Sequence, residues 1–250
     1  MGFFTFIDST GIPQSGFTTF GATHLLMLVG LGLIVALLCY GYRRLGAERG
    51  RFLLICVAGL ALLQEVAKQV VILTTLDAYP IGELPLHLCG LFLFVNFVYA
   101  LKPNRYLGEL LYCLGLPGAF MALITPDWSA YPLVNFFCLH SFTVHAWLIS
   151  IPLMLLFSGQ LRPNYKNLWF PMLFLAVVSA PLYFFNKAVG ANFLFLLTPP
   201  ADTPLVAIQS ITGESLYLLG LAVLVVVAWF FMYLPWIISD KRKAKQSQVA

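Results

Sequence analysis

Seven apolar stretches run along the chain, separated by short segments that carry charges, prolines or glycines. They cover roughly residues 20–42, 52–76, 84–101, 107–125, 133–157, 168–188 and 213–238. Each is close to the roughly 20 residues that cross a bilayer core, and none alternates like a barrel strand. Because backbone groups in lipid must be paired within the segment, the pattern predicts an all-α membrane protein. We expect one domain, residues 1–240, with seven transmembrane helices and a kink in the fourth at Gly115, Pro117 and Gly118.

Basic side chains occur in every second connection. Twelve of the fourteen Lys and Arg residues lie in segments 43–51, 102–105, 162–166 and 241–245, whereas 77–83, 126–132 and 189–212 hold none. Basic loops face the cytosol, so the N-terminus is predicted outside and the C-terminus in the cytosol. We expect a multi-pass protein of the cell membrane, ending in a disordered basic tail over 241–250.

Composition excludes several classes of function. The chain is 60% hydrophobic and 10% charged, whereas soluble domains carry about a quarter charged residues. The net charge of +4 resides in the loops, which argues against a nucleic-acid-binding face. The five cysteines lie inside apolar stretches without a CxxC pair, and no metal-ligand spacing or soluble-enzyme motif occurs. We therefore expect no metal site and no soluble cofactor.

Polar residues inside the predicted helices are concentrated in the outer half, and the inner half is nearly apolar. In the second helix, Gln64, Glu65, Lys68 and Gln69 share one stripe at 100° per residue, and Glu65 can pair with Lys68 at i, i+3. Ionisable groups in a membrane are costly, so the stripe should face inward. It either joins helices by hydrogen bonds or lines a functional site.

A cysteine and a histidine are predicted at similar depth in two helices. Cys89 follows Pro85 near the start of the third helix, where the helix dipole favours a thiolate. His87 is turned about 200° away from Cys89 on an ideal helix, which leaves His140 of the fifth helix as the candidate base. The alternative is an inert cysteine, the usual state of one flanked by apolar residues. His145 is interpreted as a packing or relay residue.

Five segments resemble one known family. They are LPLHLCG at 84–90, LGLPGAFMALITPDWSAYP at 114–132, FFCLHS at 136–141, RPNYKN at 162–167 and FNKAVGANFLFLLTPP at 185–200. In this order they resemble the YwaF-like family of integral membrane proteins, which includes the animal transmembrane protein 164, a lipid acyltransferase. The resemblance implies a seven-helix bundle, a required cysteine and histidine matching Cys89 and His140, and a polar segment matching Asn186, Gly190 and Asn192.

The leading hypothesis is a membrane-embedded lipid acyltransferase or transacylase that acts on membrane phospholipids. Cys89 would attack a phospholipid ester, and His140 would take the thiol proton and later activate the acceptor hydroxyl. The predicted substrate-binding residues are Glu65, Lys68, Gln69, His87, Asn186, Lys187 and Asn192. The rival hypothesis is a transporter or ligand-binding membrane protein that holds a small anion or a proton with the same groups. A lipid hydrolase is a near variant of the first.

Overall fold

The structure is a computed structural model that describes residues 2–7, 16–200 and 203–247, and these residues form helices, turns and loops without a β-strand. The helices are α1 (Ala22–Arg44), α2 (Ala47–Thr75), α3 (Leu88–Leu101), α4 (Arg105–Leu110), α5 (Leu116–Ile124), α6 (Phe136–Ser158), α7 (Trp169–Val189) and α8 (Pro204–Ser247). With α4 and α5 joined into one span, seven helical segments of this part of the chain are long and apolar enough to cross a membrane. The predicted all-α fold with seven such helices is confirmed.

The fourth span is irregular, as the glycines and the proline predict. A π-helical turn over Leu111–Gly115 joins α4 to α5, and Pro117 lies in the first turn of α5. Proline has no N–H to bond backwards, which weakens the regular helical ladder at this point. Gly115 also lets α3 come close, because a Cβ there would lie 2.5 Å from the ring of Phe92.

Two helix boundaries differ from the predicted ones. The third helix begins at Leu88 rather than near residue 84, because Ile81–Glu83 form a 3-10 turn and His87 has an extended backbone at the N-cap. The last helix runs from Pro204 to Ser247 with a break at Gly213, where φ is 74°. Residues 241–247 therefore continue a helix instead of forming a disordered tail, and 248–250 lie outside the described residues.

Contacts between the connections define two ends of the bundle. At the first end, called the basic end (45–46, 102–104, 159–168 and 241–247), Tyr42 donates to Gln160 at 2.7 Å, and Arg162 pairs with Asp240. At the second end, called the site end (76–87, 125–135 and 190–200), the contacts described in the next subsection join the loops. The connections that carry basic residues thus lie together at one end of the bundle, as their alternation along the chain predicts. Which end faces the cytosol stays a prediction.

Helix α6 lies at the centre of the bundle and packs against α1, α2, α3 and α5. Its core residues Cys138, Phe142, Met154 and Leu155 have no accessible surface. Leucine, valine and phenylalanine side chains on the outer faces of α1, α7 and α8 are exposed, as expected where the solvent is lipid. Polar groups on α6 therefore reach the other helices only through the interior.

Candidate functional site

Glu65 is the centre of a buried ionic cluster between α2 and α6. The residue is 6% exposed, and its carboxylate lies 3.1 Å from Nζ of Lys68 and 3.4 Å from Nε2 of His140. Gln69 donates to the same carboxylate at 2.6 Å. The His140 contact has ion-pair distance but not the alignment of a hydrogen bond, so Nε2 of His140 lacks a hydrogen-bond partner. The predicted stripe of α2 thus faces inward.

The loop before α3 completes this cluster. Oε2 of Glu83 lies 3.4 Å from Nζ of Lys68, and its backbone carbonyl accepts from Gln69 at 2.9 Å. Tyr79 donates to Oε1 of Gln69 at 2.5 Å. Burial, together with Glu83 and Glu65 nearby, raises the pKa of Tyr79, which keeps this donor protonated. Lys68 is therefore held between two carboxylates, and both polar atoms of Gln69 are occupied.

Cys89 lies in the first turn of α3 and is half-buried. The carboxylate of Asp127, in the loop between α5 and α6, is within electrostatic range of its thiol. The Asp127 side chain is exposed, yet loss of hydration, followed by the charge of Glu83, raises its pKa. We call Cys89 and Asp127 together the thiol–carboxylate pair.

Cys89 and His140 are not hydrogen-bonded to each other in the described structure. The His140 ring instead contacts Glu65 and the ring of Phe136, whose centroid is 6.1 Å away. Both residues lie at the site end, and hydrogen bonds between catalytic groups often form only when substrate is bound. A catalytic role for this pair stays a prediction.

His87 faces the loop between α7 and α8 rather than the Cys89 thiol. Its ring centroid is 5.1 Å from that of Phe193 and 5.2 Å from that of Phe195. Leu194 and Phe195 both have left-handed backbone conformations, with φ of 58° and 54°, which is rare for residues of this kind. The loop therefore has a specific, strained shape where it covers His87.

Two asparagines hold this loop in place. Asn186 is fully buried and exchanges two hydrogen bonds with Phe193: it accepts from N at 2.9 Å and donates to O at 3.0 Å. Asn192 accepts from Leu197 N at 3.0 Å and donates to Thr198 O at 2.8 Å. The polar atoms of both predicted substrate-binding asparagines are thus used by the backbone of the loop.

Lys187, the remaining predicted substrate-binding residue, is exposed in the last turn of α7. Its ammonium lies 4.5 Å from the centre of the Tyr183 ring, a cation–π contact on the same helix. It makes no ion pair among the described residues. The structure therefore does not bring Lys187 into the cluster around Glu65.

Sequence reasoning did not connect Trp128, in the loop between α5 and α6, with His145. His145 lies one helical turn beyond Ser141, and Nδ1 of its ring is 2.6 Å from the Ser141 carbonyl oxygen. The imidazole stacks on the indole of Trp128, with ring centroids 5.0 Å apart. No spacing rule joins these residues, because Trp128 belongs to a loop and His145 to a helix. The available signal was that Trp128 belongs to the family-like segment 114–132.

The segment before α1 also belongs to the site end. The carbonyl oxygen of Phe3 accepts from Phe136 N at 2.9 Å, and that of Thr5 accepts from the Asn135 side chain at 2.9 Å. Phe17 N donates to Ser129 O at 3.0 Å. Residues 2–7 and 16–20 therefore cover the 126–135 loop.

The expectation of a nearly apolar inner half is wrong at one position. Glu109 in α4, near the basic end, is 2% exposed and accepts hydrogen bonds from Asn164 N at 2.8 Å, Asn167 Nδ2 at 3.0 Å and Tyr233 OH at 2.5 Å. The two asparagines belong to the RPNYKN segment. Both carboxylate oxygens of Glu109 are therefore hydrogen-bonded, and this cluster joins α4, the 159–168 connection and α8.

Comparisons with known proteins agree with this architecture. An uncharacterized protein of Treponema pallidum (strain Nichols) is 26% identical over 224 residues, which cover 88% of this chain and 90% of that protein. No solved structure matches the chain. Among the described residues, no three His, Cys, Asp or Glu side chains are grouped so that they could hold a metal ion. The TMEM164 family model matches residues 19–233, and the chain therefore belongs to the TMEM164 family.

Proposed function

We propose that this protein is a cysteine-dependent lipid acyltransferase, or transacylase, of the cell membrane. Family membership and the resemblance to YwaF-like proteins support this activity, and the site end supplies suitable chemistry. The observation that carries the proposal is the buried Glu65–His140 pair, which lies at the same end of the bundle as Cys89. A carboxylate that faces an imidazole stabilises the imidazolium formed when the ring takes a proton.

The reaction would take place in two steps. The Cys89 thiol loses its proton to His140, and the sulfur attacks the ester carbonyl carbon of a phospholipid; the C–O bond breaks, and the leaving oxygen takes the proton from His140. In the second step an acceptor hydroxyl loses its proton to His140, and its oxygen attacks the thioester carbon. The C–S bond then breaks, and the Cys89 thiolate recovers the proton. Cys89 lies in the first turn of α3, at the positive end of the helix dipole.

The surrounding charges suggest how the substrate is held. Lys68 is already paired with Glu65 and Glu83, so it is better suited to position Glu65 than to neutralise the charge of a lipid phosphate. Lys187 pairs with no carboxylate of the described residues and is exposed at the end of α7, where lipid headgroups lie. We therefore expect Lys187 to bind the phosphate of the lipid headgroup. Asn186 and Asn192 would instead hold the loop that covers His87 in its ordered conformation.

The proposal is tested by replacing the nucleophile. The purified protein is placed in nanodiscs that contain two phospholipids, one with deuterated acyl chains, and chain exchange is followed by mass spectrometry. Cys89→Ala should lower exchange at least about 100-fold, since the thioester cannot form. Cys56→Ala is the matched control, because Cys56 is exposed on α2 and should tolerate the change. Full exchange by the Cys89 variant would refute the proposal.

A second candidate function is favoured by the excess of carboxylates at the site end. Glu65, Glu83 and Asp127 stand against the single lysine of the cluster, and the pKa of Asp127 is raised. Such a site suits a bound proton better than the small anion that the rival hypothesis also allowed. In proteoliposomes with a pH-sensitive dye, a proton pathway would dissipate an imposed pH gradient and Asp127→Asn would abolish the leak. An intact gradient with the unaltered protein excludes it.

A further inference from the structure

The indole N–H of Trp128 has no partner in the described structure. The side chain is 6% exposed, and no hydrogen-bond acceptor contacts Nε1. Three other tryptophans donate within the protein: Trp147 to Gln64, Trp229 to the Cys113 carbonyl and Trp236 to Tyr112. A buried donor without an acceptor is costly and rare, and it often marks a place that a ligand or an ordered water completes.

The ring that stacks on Trp128 supplies the complementary group. The Ser141 carbonyl oxygen can only accept, so Nδ1 of His145 carries the proton at this 2.6 Å contact. In the neutral ring Nε2 is then an acceptor with a free lone pair. His145 is half-buried, and the hydrogen bond of its ring in the described structure is at Nδ1, not at Nε2.

The pair lies beside both parts of the proposed site. Trp128 follows Asp127 of the thiol–carboxylate pair in the chain, and the two rings are nearly parallel at 18°. His145 follows His140 on α6, and His140 contacts Glu65 of the ionic cluster. One free donor and one free acceptor thus lie near the ionic cluster and next to Asp127 in the chain.

We propose that Trp128 and His145 bind one hydroxyl group of a lipid ligand, with the indole N–H donating to its oxygen and Nε2 of His145 accepting its proton in a hydrogen bond. A hydroxyl both donates and accepts, so it satisfies both groups. A carbonyl or phosphate oxygen only accepts and would leave Nε2 unused, and an ammonium group only donates and would leave the indole unpaired. The identity of the hydroxyl as that of the acyl acceptor rests on the proposed function, but its binding does not require Cys89.

The test uses the full chain in nanodiscs with Cys89→Ala, which cannot form a thioester. The probes are lysophosphatidylcholine and its 2-deoxy analogue, which lacks the single hydroxyl. We expect the hydroxyl lipid to bind about tenfold more tightly than the analogue, as two modest hydrogen bonds allow. In ¹⁵N-indole NMR spectra its addition should shift the Trp128 resonance and leave that of Trp229, near the opposite end, unchanged.

Matched variants separate binding from folding. Trp128→Phe keeps a stacking ring and loses no internal hydrogen bond, while Trp229→Phe leaves the Cys113 carbonyl unpaired and serves as the structural control. His145→Asn keeps a donor for Ser141 without the Nε2 acceptor, whereas His145→Gln keeps an acceptor near the Nε2 position. Discrimination between the probes should disappear in Trp128→Phe and His145→Asn and return in part with His145→Gln.

Two results would overturn the inference: unchanged discrimination in Trp128→Phe and His145→Asn, or no binding of the hydroxyl lipid. The proposed function fails separately. If the unaltered protein exchanges no acyl chains but Trp128 still governs recognition of the hydroxyl, the binding site stands without the acyltransferase. If exchange depends on Cys89 but both variants bind the probes normally, the acyltransferase stands without this site.

Discussion

Replacing Asn186 with alanine should loosen the α7–α8 loop. The substitution removes both hydrogen bonds to Phe193 and leaves a buried N–H and a buried carbonyl without partners. Each orphaned group costs about 1–3 kcal/mol, and the loop can recover part of this by relaxing. We therefore expect the free energy of unfolding to fall by about 3 kcal/mol.

The effect should reach His87 through the aromatic contacts of the loop. Phe193 is fully buried against the His87 ring, so a loosened loop exposes that imidazole. Unfolding is measured by steric trapping in bicelles, and the exposure of His87 by hydrogen exchange at its ring carbon with mass spectrometry. We expect faster exchange at His87 and unchanged exchange at His24, which is buried near α5 and bonded to the Leu123 carbonyl.

The neighbouring residue provides the control. Lys187→Ala removes only the exposed contact with Tyr183 and should cost less than about 1 kcal/mol. An Asn186→Ala protein as stable as the original, with reduced acyl transfer, would refute this reasoning. It would instead favour the substrate-binding role predicted from the sequence.

Three further substitutions test other parts of the structure. Glu109→Gln keeps an acceptor for Asn164 and Asn167 but puts an amide donor where Tyr233 now donates, and loss of this charged acceptor should cost about 1.5–3 kcal/mol of unfolding free energy by steric trapping, whereas exposed Glu48→Gln should change it by less than about 0.5 kcal/mol. The pKa of Asp127 is higher in the folded protein than in the unfolded chain, so stability falls as pH rises from the ordinary carboxyl pKa toward this raised value. Asp127→Asn should therefore raise the melting temperature at pH 7 and flatten its dependence on pH in the acidic range; a lowered value at pH 7 would contradict this sign. Tyr217→Phe removes the hydrogen bond to the Phe195 carbonyl and should cost about 1 kcal/mol, and an unchanged stability would show that water replaces the hydroxyl.

The fold was predictable because lipid imposes simple rules on a chain. Length and apolar character fix the number of spans, and backbone pairing makes them helical. Helix boundaries were less predictable, since Pro85 is compatible with either the first turn of a helix or the loop before it. In the structure the 3-10 turn at Ile81–Glu83 precedes it, and Pro85 belongs to the loop. At the other end of the chain, the polarity of residues 241–247 gave no sign that α8 would continue through them.

Within the site, the parts that follow from one helix were predictable and those that need tertiary structure were not. Helical spacing alone brings Glu65 beside Lys68, and the structure has this pair. The second carboxylate at Lys68 comes from Glu83 in a loop, and the stacking of Trp128 on His145 depends on how α5 and α6 are joined. The backbone role of Asn186 was also hidden, because its partner Phe193 lies in a loop without helical periodicity.

The hydrogen bonds of the segment before α1 have a consequence for biosynthesis. Residues 2–7 are translated well before 126–136, yet the carbonyl groups of Phe3 and Thr5 accept their hydrogen bonds from there. The same holds for His24 of α1. One of its ring nitrogens bonds to Phe20 N, which is close in the chain, but the other bonds to the Leu123 carbonyl, which is translated much later. During membrane insertion, the polar groups of α1 and of the segment before it therefore lack some of their hydrogen-bond partners until α5 and α6 have been inserted. A chaperone or translocon component that shelters this helix would have its greatest effect before α6 emerges.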